Sequence, residues 1–493
     1  MLLIFGKNGQ LKKSMSFGGA YSGEKQMGSL DTMMMFSSDS NKILDSTYGL
    51  LVERSTTLYH TWGPARGGVN KQDEYAIGPG LLFRSQMDYK TLGENKEYAK
   101  DWSRDFSKIV DSYSRKMNLY QKQSLAFRSA LINGDSLYLF DRKNNELNDI
   151  VPAQNNQIDW TYNLGDYTLG IEHDDLLRGT GIRQASGKNL SFVDSVGDRN
   201  VIQFLFAELA GQLRGYPMSY SMINAARNDD THEDAIRHRA VMEAILIGTF
   251  ETKGTDVQQQ FKNLGAAARK RKGKSWNPLS KVGNAENIGA GSMLTLGAEE
   301  SMKWGDMKTP SNNYGTFKEW MINYAAMHTG TPPEVIMSKY ESSFTAHKGS
   351  LNDFKKSFTK KRKTFERLCM DSIIFEIAKD AIQQGFIKAP GFFDGGWRVQ
   401  QAYLQGLYLG PVPGHINPLQ EVKANALSVE SGFELRSSFA NLNGHEWDSF
   451  LLEYETQAEE YSKLPQDFQD RILFEQEKNN ADNNKNNTEG GDD

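Results

Sequence analysis

Gly273-Lys274-Ser275 has the ending of a phosphate-cradling loop, in which backbone N–H groups and a lysine surround the phosphates. The first glycine of that pattern falls at position 268, where this chain has Ala268. No apolar strand precedes it, and the loop would have to carry the basic run Arg269-Lys270-Arg271-Lys272. A basic helical run accounts for these residues better than a nucleotide site. His232-Glu233 opens a zinc-protease pattern, but its second histidine falls on Ile236. Asp229, Asp230, Glu233 and Asp234 form an acidic cluster, which the dipole at a helix N-terminus explains without a cation. Gly78-x-Gly80 begins a dinucleotide fingerprint, but Phe83 stands where its third glycine belongs and no βαβ pattern surrounds it. The single cysteine, Cys369, excludes an intramolecular disulfide and a multi-cysteine zinc site. Inside an apolar helix it reads as a small core residue. No catalytic set, cofactor or metal site is therefore expected.

Three stretches have residues suited to nucleic acid. The connector Lys339 to Lys348 offers hydroxyls, lysines, a histidine and aromatic rings. The run Arg269, Lys270, Arg271, Lys272 and Lys274 could meet phosphate, but reads better as a contact with a partner protein. A helix bearing Lys355, Lys356, Lys360, Lys361, Arg362 and Lys363 is a third stretch, and a solvated or intersubunit face is its plainer reading.

The elements that would position these stretches follow from periodicity. Arg214-Gly215-Tyr216-Pro217 is a turn, and a short apolar segment leads to the polar break Asn228-Asp229-Asp230-Thr231. Thr231 is expected to cap a helix that runs to Lys253, with Ile236, Ala240, Ala244 and Ile247 on its apolar stripe. A second helix is expected over 311–329, with Phe317, Trp320, Met321, Tyr324, Ala325 and His328 on one side and Gly330-Thr331-Pro332-Pro333 as its stop. Upstream, residues 1–48 read as a loose arm, 49–90 as short apolar segments between glycine clusters, and 91–132 as helix. Asn133-Gly134-Asp135 turns that helix into a strand, and 141–210 are short strands and loops. Downstream, a helix starts near Ser350 with Leu351, Phe354, Phe358, Phe365 and Leu368 on its stripe, and breaks at Gly385. A further helix is expected over Glu421 to Ser431. The Asn- and Asp-rich tail beyond 475 reads as disordered.

The 493 residues suffice for several domains. With 57 basic against 62 acidic residues and a net charge of −5, the chain is not a DNA-coating protein. Mean hydropathy is −0.60. No signal peptide is read at Met1-Leu2-Leu3-Ile4-Phe5, and no apolar run reaches bilayer length. A soluble protein, cytoplasmic before any assembly, is the expectation, with no membrane partner.

Taken in order, these segments resemble the phage portal proteins of the lambda type. The resemblance rests on Arg214-Gly215-x-Pro217, the Glu233-Asp234-Ala235 helix, Leu296-Gly297-x-Glu299, the Ala325-Ala326 pair before Gly330-x-Pro332-Pro333, and Ile416-Asn417-Pro418. It covers roughly residues 50 to 465. It implies an α+β portal fold with wing, helical stem, clip and crown, assembling as a ring. The implied layout is an arm at 1–48, an α+β wing at 49–230, a stem helix at 231–253, a clip at 254–310 and a second stem helix at 311–329. Tunnel loop and wing helices at 330–420, a crown at 421–474 and a disordered tail at 475–493 complete it.

The resemblance also implies roles. Lys339, Tyr340, Glu341, Ser342, Ser343, Phe344, Thr345, His347 and Lys348 would be the DNA-facing tunnel loop. Arg269, Lys270, Arg271, Lys272 and Lys274 would be clip residues that contact a partner. Ile236, Ala240, Ala244, Ile247, Trp320 and Tyr324 would pack the stem. Where the family often has an arginine after this loop, Lys348 stands, with the charge but without the bidentate fork. The implied partners are further copies of the chain in a ring, typically a dodecamer in this family, and non-specific double-stranded DNA. The terminase large subunit, the head–tail connector, and the major capsid and scaffold proteins are the others. The implied location is the portal vertex of the virion. Competing readings are a connector or minor capsid protein without a packaging role, a terminase-like motor, and a sequence-specific DNA-binding protein. The broken phosphate-loop pattern speaks against the motor, and the lack of a reading helix on a basic surface speaks against the last.

Overall fold

The computed structural model describes residue 41, residues 48–144, 146–153, 157–245, 249–252, 300–303, 314–340, 344–411 and 418–433, and isolated positions from 435 to 463. For 239–245, 249–252, 300–303, 344–345 and 418–422 only the backbone is described. The chain divides into two compact units: residues 1–220 with 329–493, and the intervening 221–328.

The first unit opens with α1 (Tyr48–Thr61) and α2 (Gly63–Ala76), where the sequence led us to expect only short segments between glycines. Pro64 sits in the first turn of α2, where its missing N–H costs nothing. Gly67 and Gly68 are not breaks in this helix. A Cβ on Gly68 would lie 2.6 Å from Thr329 Cγ2, so the glycine serves close approach rather than bending. Gly78 and Gly80, at φ +54° and +120°, make the expected turn into β1 (Leu82–Ser85).

After α3 (Tyr89–Leu92), the helix expected over 91–132 is two helices, α4 (Lys96–Lys116) and α5 (Leu119–Asn133). The break is Asn118, which takes the left-handed conformation at φ +53°. Asparagine tolerates that conformation better than most residues, and apolar periodicity does not report it. The stripe itself is as expected: Trp102, Phe106, Val110, Tyr113 and Met117 are buried.

The strands are β2 (Asp135–Lys143), β3 (Glu146–Ala153), β4 (Tyr167–Thr168), β5 (Ile171–His173), β6 (Gly179–Arg183), β7 (Asn189–Ser191) and β8 (Val201–Leu205). They form antiparallel sheets ordered β3-β2-β8 and β4-β5-β6-β7. A small apolar cluster that includes Leu137, Ile171, Ile182 and Val201 is buried among them.

Two turn motifs lock one another. Arg214 is fully buried, with its Nη2 donating to Tyr48 Oη at 2.8 Å, its Nη1 to Leu169 O at 3.1 Å and its Nε to the Asp135 carboxylate. Gly215 lies so close to Gly134 that a Cβ on it would be 1.8 Å from Gly134 O. The Asn-Gly-Asp turn and the Arg-Gly turn are thus halves of one clasp. Burial, first of all, and then the neighbouring carboxylate keep the Tyr48 hydroxyl protonated, although Arg214 pulls the other way.

The second unit contains α6 (Ile223–Ile245), β9 (Thr249–Thr252), β10 (Glu300–Lys303) and α7 (Tyr314–Thr329), whose last residue belongs to the first unit. β9 and β10 pair antiparallel, from Thr252 with Glu300 to Thr249 with Lys303.

Back in the first unit come α8 (Pro333–Met337), α9 (Phe344–Phe365), a π-helical segment (Glu366–Met370), α10 (Asp371–Gln383), α11 (Gly396–Leu404), β11 (Gly406–Leu409) and α12 (Pro418–Glu430). β11 pairs with β1. Residues Phe354, Phe358 and Phe365 fill the main core with Phe106, Phe127 and Phe392. Phe365 meets Phe127 and Phe204 edge-on at 5.7 and 5.1 Å, geometry worth about 0.5–1.5 kcal/mol per pair.

Two expectations on this long helix are corrected. Leu368 is exposed, because the π segment inserts one extra residue and rotates the stripe onto Cys369, Met370, Ile373 and Ile374. Of the six basic residues expected outside, Lys361 and Arg362 turn inward. Arg362 donates to the carbonyls of Tyr75, Ala76 and Pro411, at 2.6, 2.7 and 3.0 Å, and so satisfies the C-terminus of α2.

Candidate functional site

The helix pair of the second unit is built from complementary faces. Asp229 and Glu233, one turn apart on α6, both accept from Lys318 of α7, the Asp229 contact at 2.6 Å. Burial works against the charge on that lysine, but the two carboxylates outweigh it and hold its pKa above the ordinary value. His232, between them, stacks on Tyr314 at 6.3 Å and leans on Phe317 at 4.1 Å. Further along, the Tyr324 hydroxyl donates to Ser221 O at 3.4 Å. Partners therefore run in opposite directions along the two helices: early residues of α6 meet late residues of α7. The pair is antiparallel, and the β9–β10 ribbon lies between its helices in sequence and closes the root of the 253–299 insert.

The polar run Asn228 to Thr231 does not start this helix, as the sequence suggested. α6 begins at Ile223 and ends at Ile245, rather than running from 231 to 253. The Thr231 hydroxyl donates back to Arg227 O at 2.9 Å, a mid-helix bond instead of a cap. The buried member of the run, Asp229, is tolerated because Lys318 pairs with it.

The expected packing residues fare differently. Ile236 and Tyr324 are half-buried, and Trp320 is 54% exposed in the single chain. Ala240 and Ala244 lie on α6, where only the backbone is described, and Ile247 lies outside the described residues. Phe317, Trp320, Tyr324 and His328 form a ladder of rings along α7, with centroids 6.4, 5.7 and 4.3 Å apart.

The connector that follows α7 belongs to the first unit. Gln72 Nε2 donates to Thr329 O at 3.0 Å and Thr331 Oγ1 at 3.1 Å, so the end of α7 is fastened to α2. Lys361 Nζ reaches the same Thr329 carbonyl at 3.3 Å and Met218 Sδ at 3.8 Å. Although part of its chain keeps some surface, the amine itself is enclosed, and burial lowers its pKa to about 8, with Lys360 adding to the effect.

The connector expected over Lys339 to Lys348 is shorter than the sequence suggested. α9 starts at Phe344, not near Ser350, so Phe344, Thr345, His347 and Lys348 sit on its first turns. His347 Nδ1 lies 3.0 Å from Glu334 Oε2, and the Tyr340 ring meets the imidazole edge-on at 4.6 Å. These contacts tie the start of α9 to α8, and Glu334 is a member that the sequence reading missed. Ser338, at φ +52°, closes α8, and the Lys339 N–H donates to Glu334 O at 3.1 Å. Tyr340 and Lys348 are exposed. Glu341, Ser342 and Ser343 lie outside the described residues, as do Arg269, Lys270, Arg271, Lys272 and Lys274. No cluster of three or more His, Cys, Asp or Glu side chains is placed to hold a metal among the described residues. No helix among them is long and apolar enough to cross a membrane.

A family model described as "Phage portal protein, lambda family" matches residues 28–362. No curated protein matches the chain. Among solved structures, a chain from the neck of a native GTA particle, computed with C12 symmetry, is 12% identical at a TM-score of 0.38. The match covers 79% of this chain and 93% of that one. A chain from the neck of an empty GTA particle, computed with C6 symmetry, is 14% identical at a TM-score of 0.37, with the same coverage. A chain from the virion of a native gene transfer agent particle is 13% identical at a TM-score of 0.37, again with that coverage.

Proposed function

This chain belongs to the phage portal protein family, and from that premise we propose that its copies form the ring at a capsid vertex through which viral DNA is packaged and ejected. The observation that carries the proposal is the antiparallel helix pair with an insert between its ends, held at the root by a two-stranded ribbon. Such a pair, repeated by a heterologous contact that closes, lines a channel with helices and leaves the insert at one end. In this reading the pair is the stem, the insert the clip, and the connector after α7 the tunnel loop. The lambda-type assignment is part of the proposal and is supported by the description of the matching model.

The charge balance suits the role. A channel rich in Lys and Arg would release counterions, hold the phosphates and stall a moving duplex. A chain with net charge −5 and few lysines in the connector grips weakly. Trp320, more than half exposed in the ring ladder, supplies area for a neighbouring copy. The insert, with its basic run, is assigned to docking the terminase large subunit and later the head–tail connector. The first unit is assigned to the major capsid and scaffold proteins. The proposed role is structural rather than enzymatic, in the virion after assembly in the host cytoplasm.

Negative-stain images of the purified full chain test the proposal. Rings with a central hole wide enough for a duplex, of twelve copies in the family pattern, are the expected result. Uniform monomers across a range of salt and protein concentration would overturn it.

A further inference from the structure

The first unit holds a polar cleft that ring formation and DNA passage do not use. It encloses about 510 Å3 between the π segment, α10, α11 and β11. That volume is in the range of small-molecule sites. Arg199 and Arg367 both line it. The Nε of Arg199 is buried with no hydrogen-bond partner. Glu376, whose carboxylate feels the charge of Arg199, is itself paired with Arg142. Arg367 is exposed, and its place on the cleft wall follows from the π segment, whose extra residue sends Cys369 and Met370 inward. Single π-helical turns are retained in helices mostly where a site needs them. The one carboxylate on the wall, Asp371, accepts from the Tyr408 hydroxyl at 2.7 Å. Its pKa is raised, chiefly by burial, against the pull of the Tyr408 hydroxyl and of Arg367 and Lys363.

We propose that this cleft binds a small phosphate ester, its phosphate held by the guanidinium groups of Arg199 and Arg367. Guanidinium groups match phosphate oxygens with paired N–H donors. The rest of the cleft offers Phe375 as an apolar wall and the Gln401 and Gln405 amides as hydrogen-bonding groups for the organic part of the ester.

The test is calorimetric titration of the full-length protein, at fixed ionic strength set with sodium chloride, using inorganic phosphate, adenosine 5′-monophosphate and adenosine as probes. Saturable binding of the monophosphate, tighter than that of phosphate and absent for adenosine, is the expected result. Binding of phosphate as tight as that of the monophosphate supports the arginine pair but assigns the site to the free anion. Arg367→Gln, at an exposed position, is expected to weaken monophosphate binding at least tenfold, with Arg367→Lys in between. Unchanged affinity in Arg367→Gln, adenosine binding as tightly as its monophosphate, or no phosphate binding above chloride would overturn the proposal. None of these readouts depends on whether rings form.

Discussion

At the scale of single residues, the fold depends on groups whose role is contact rather than chemistry. Gly134 and Gly215 touch backbone to backbone, and Arg214 crosses the gap between their turns to reach Asp135, Tyr48 and Leu169. Ala at position 215 would force two main chains apart, and no side-chain rotation relieves that. Gly215→Ala is therefore expected to destabilise the protein by roughly 2–4 kcal/mol in urea denaturation. Gly63→Ala is the control, because nothing lies within 4 Å of a Cβ there and the residue is helical. It should be neutral or mildly stabilising. Equal losses for both would refute the clasp. The dipeptide Arg214-Gly215 was visible in the sequence as a turn, but the partner of the arginine was not, since Asp135 lies 79 residues away.

At the scale of elements, the helix pair combines a favourable ring ladder with an ion-pair cluster in which Lys318 bridges Asp229 and Glu233. Asp229 is almost fully buried, and Lys318 is its partner across the pair. Lys318→Ala takes this counter-charge away from a buried carboxylate and is expected to destabilise the pair by about 3 kcal/mol. Adding Asp229→Asn and Glu233→Gln should restore most of it. Hydrogen exchange of the amides of α6 and α7 gives the reading, and protection unchanged by Lys318→Ala would refute the coupling. Periodicity correctly placed α7 and the aromatic face it carries. It misplaced the start of α6, because Asn228 to Thr231 look like a cap until Lys318 is seen beside them. It also placed Leu368 in the core, because a pattern of fixed helical period carries no sign of one inserted residue.

At the scale of the whole molecule, the second unit is an insertion into the first. Met218, just before the exit, and Thr329, at the re-entry, both touch the amine of Lys361, so the two ends of the gap are close together. Replacing residues 221–328 by a short glycine-rich linker should leave the first unit cooperatively folded, since loop closure over so short a span costs little. The same deletion is expected to abolish ring formation if the helix pair lines the channel. Calorimetric melting and light scattering check the two parts separately. Loss of the cooperative melt would refute the independence of the first unit, and rings that survive the deletion would refute the role given to the pair.

By itself the sequence determined the mixed α+β class, the apolar stripe of α4, the strand after Gly134 and the order of segments that the portal family shares. These features are local, set by residue spacing within one element or by turn chemistry within a few residues. Only the tertiary structure decided that Gly67 and Gly68 lie inside a helix, that Lys361 and Arg362 turn inward, and that two distant turns form one clasp. Each of those outcomes depends on a partner brought near by folding, and glycine, lysine and arginine take whichever role that partner leaves open.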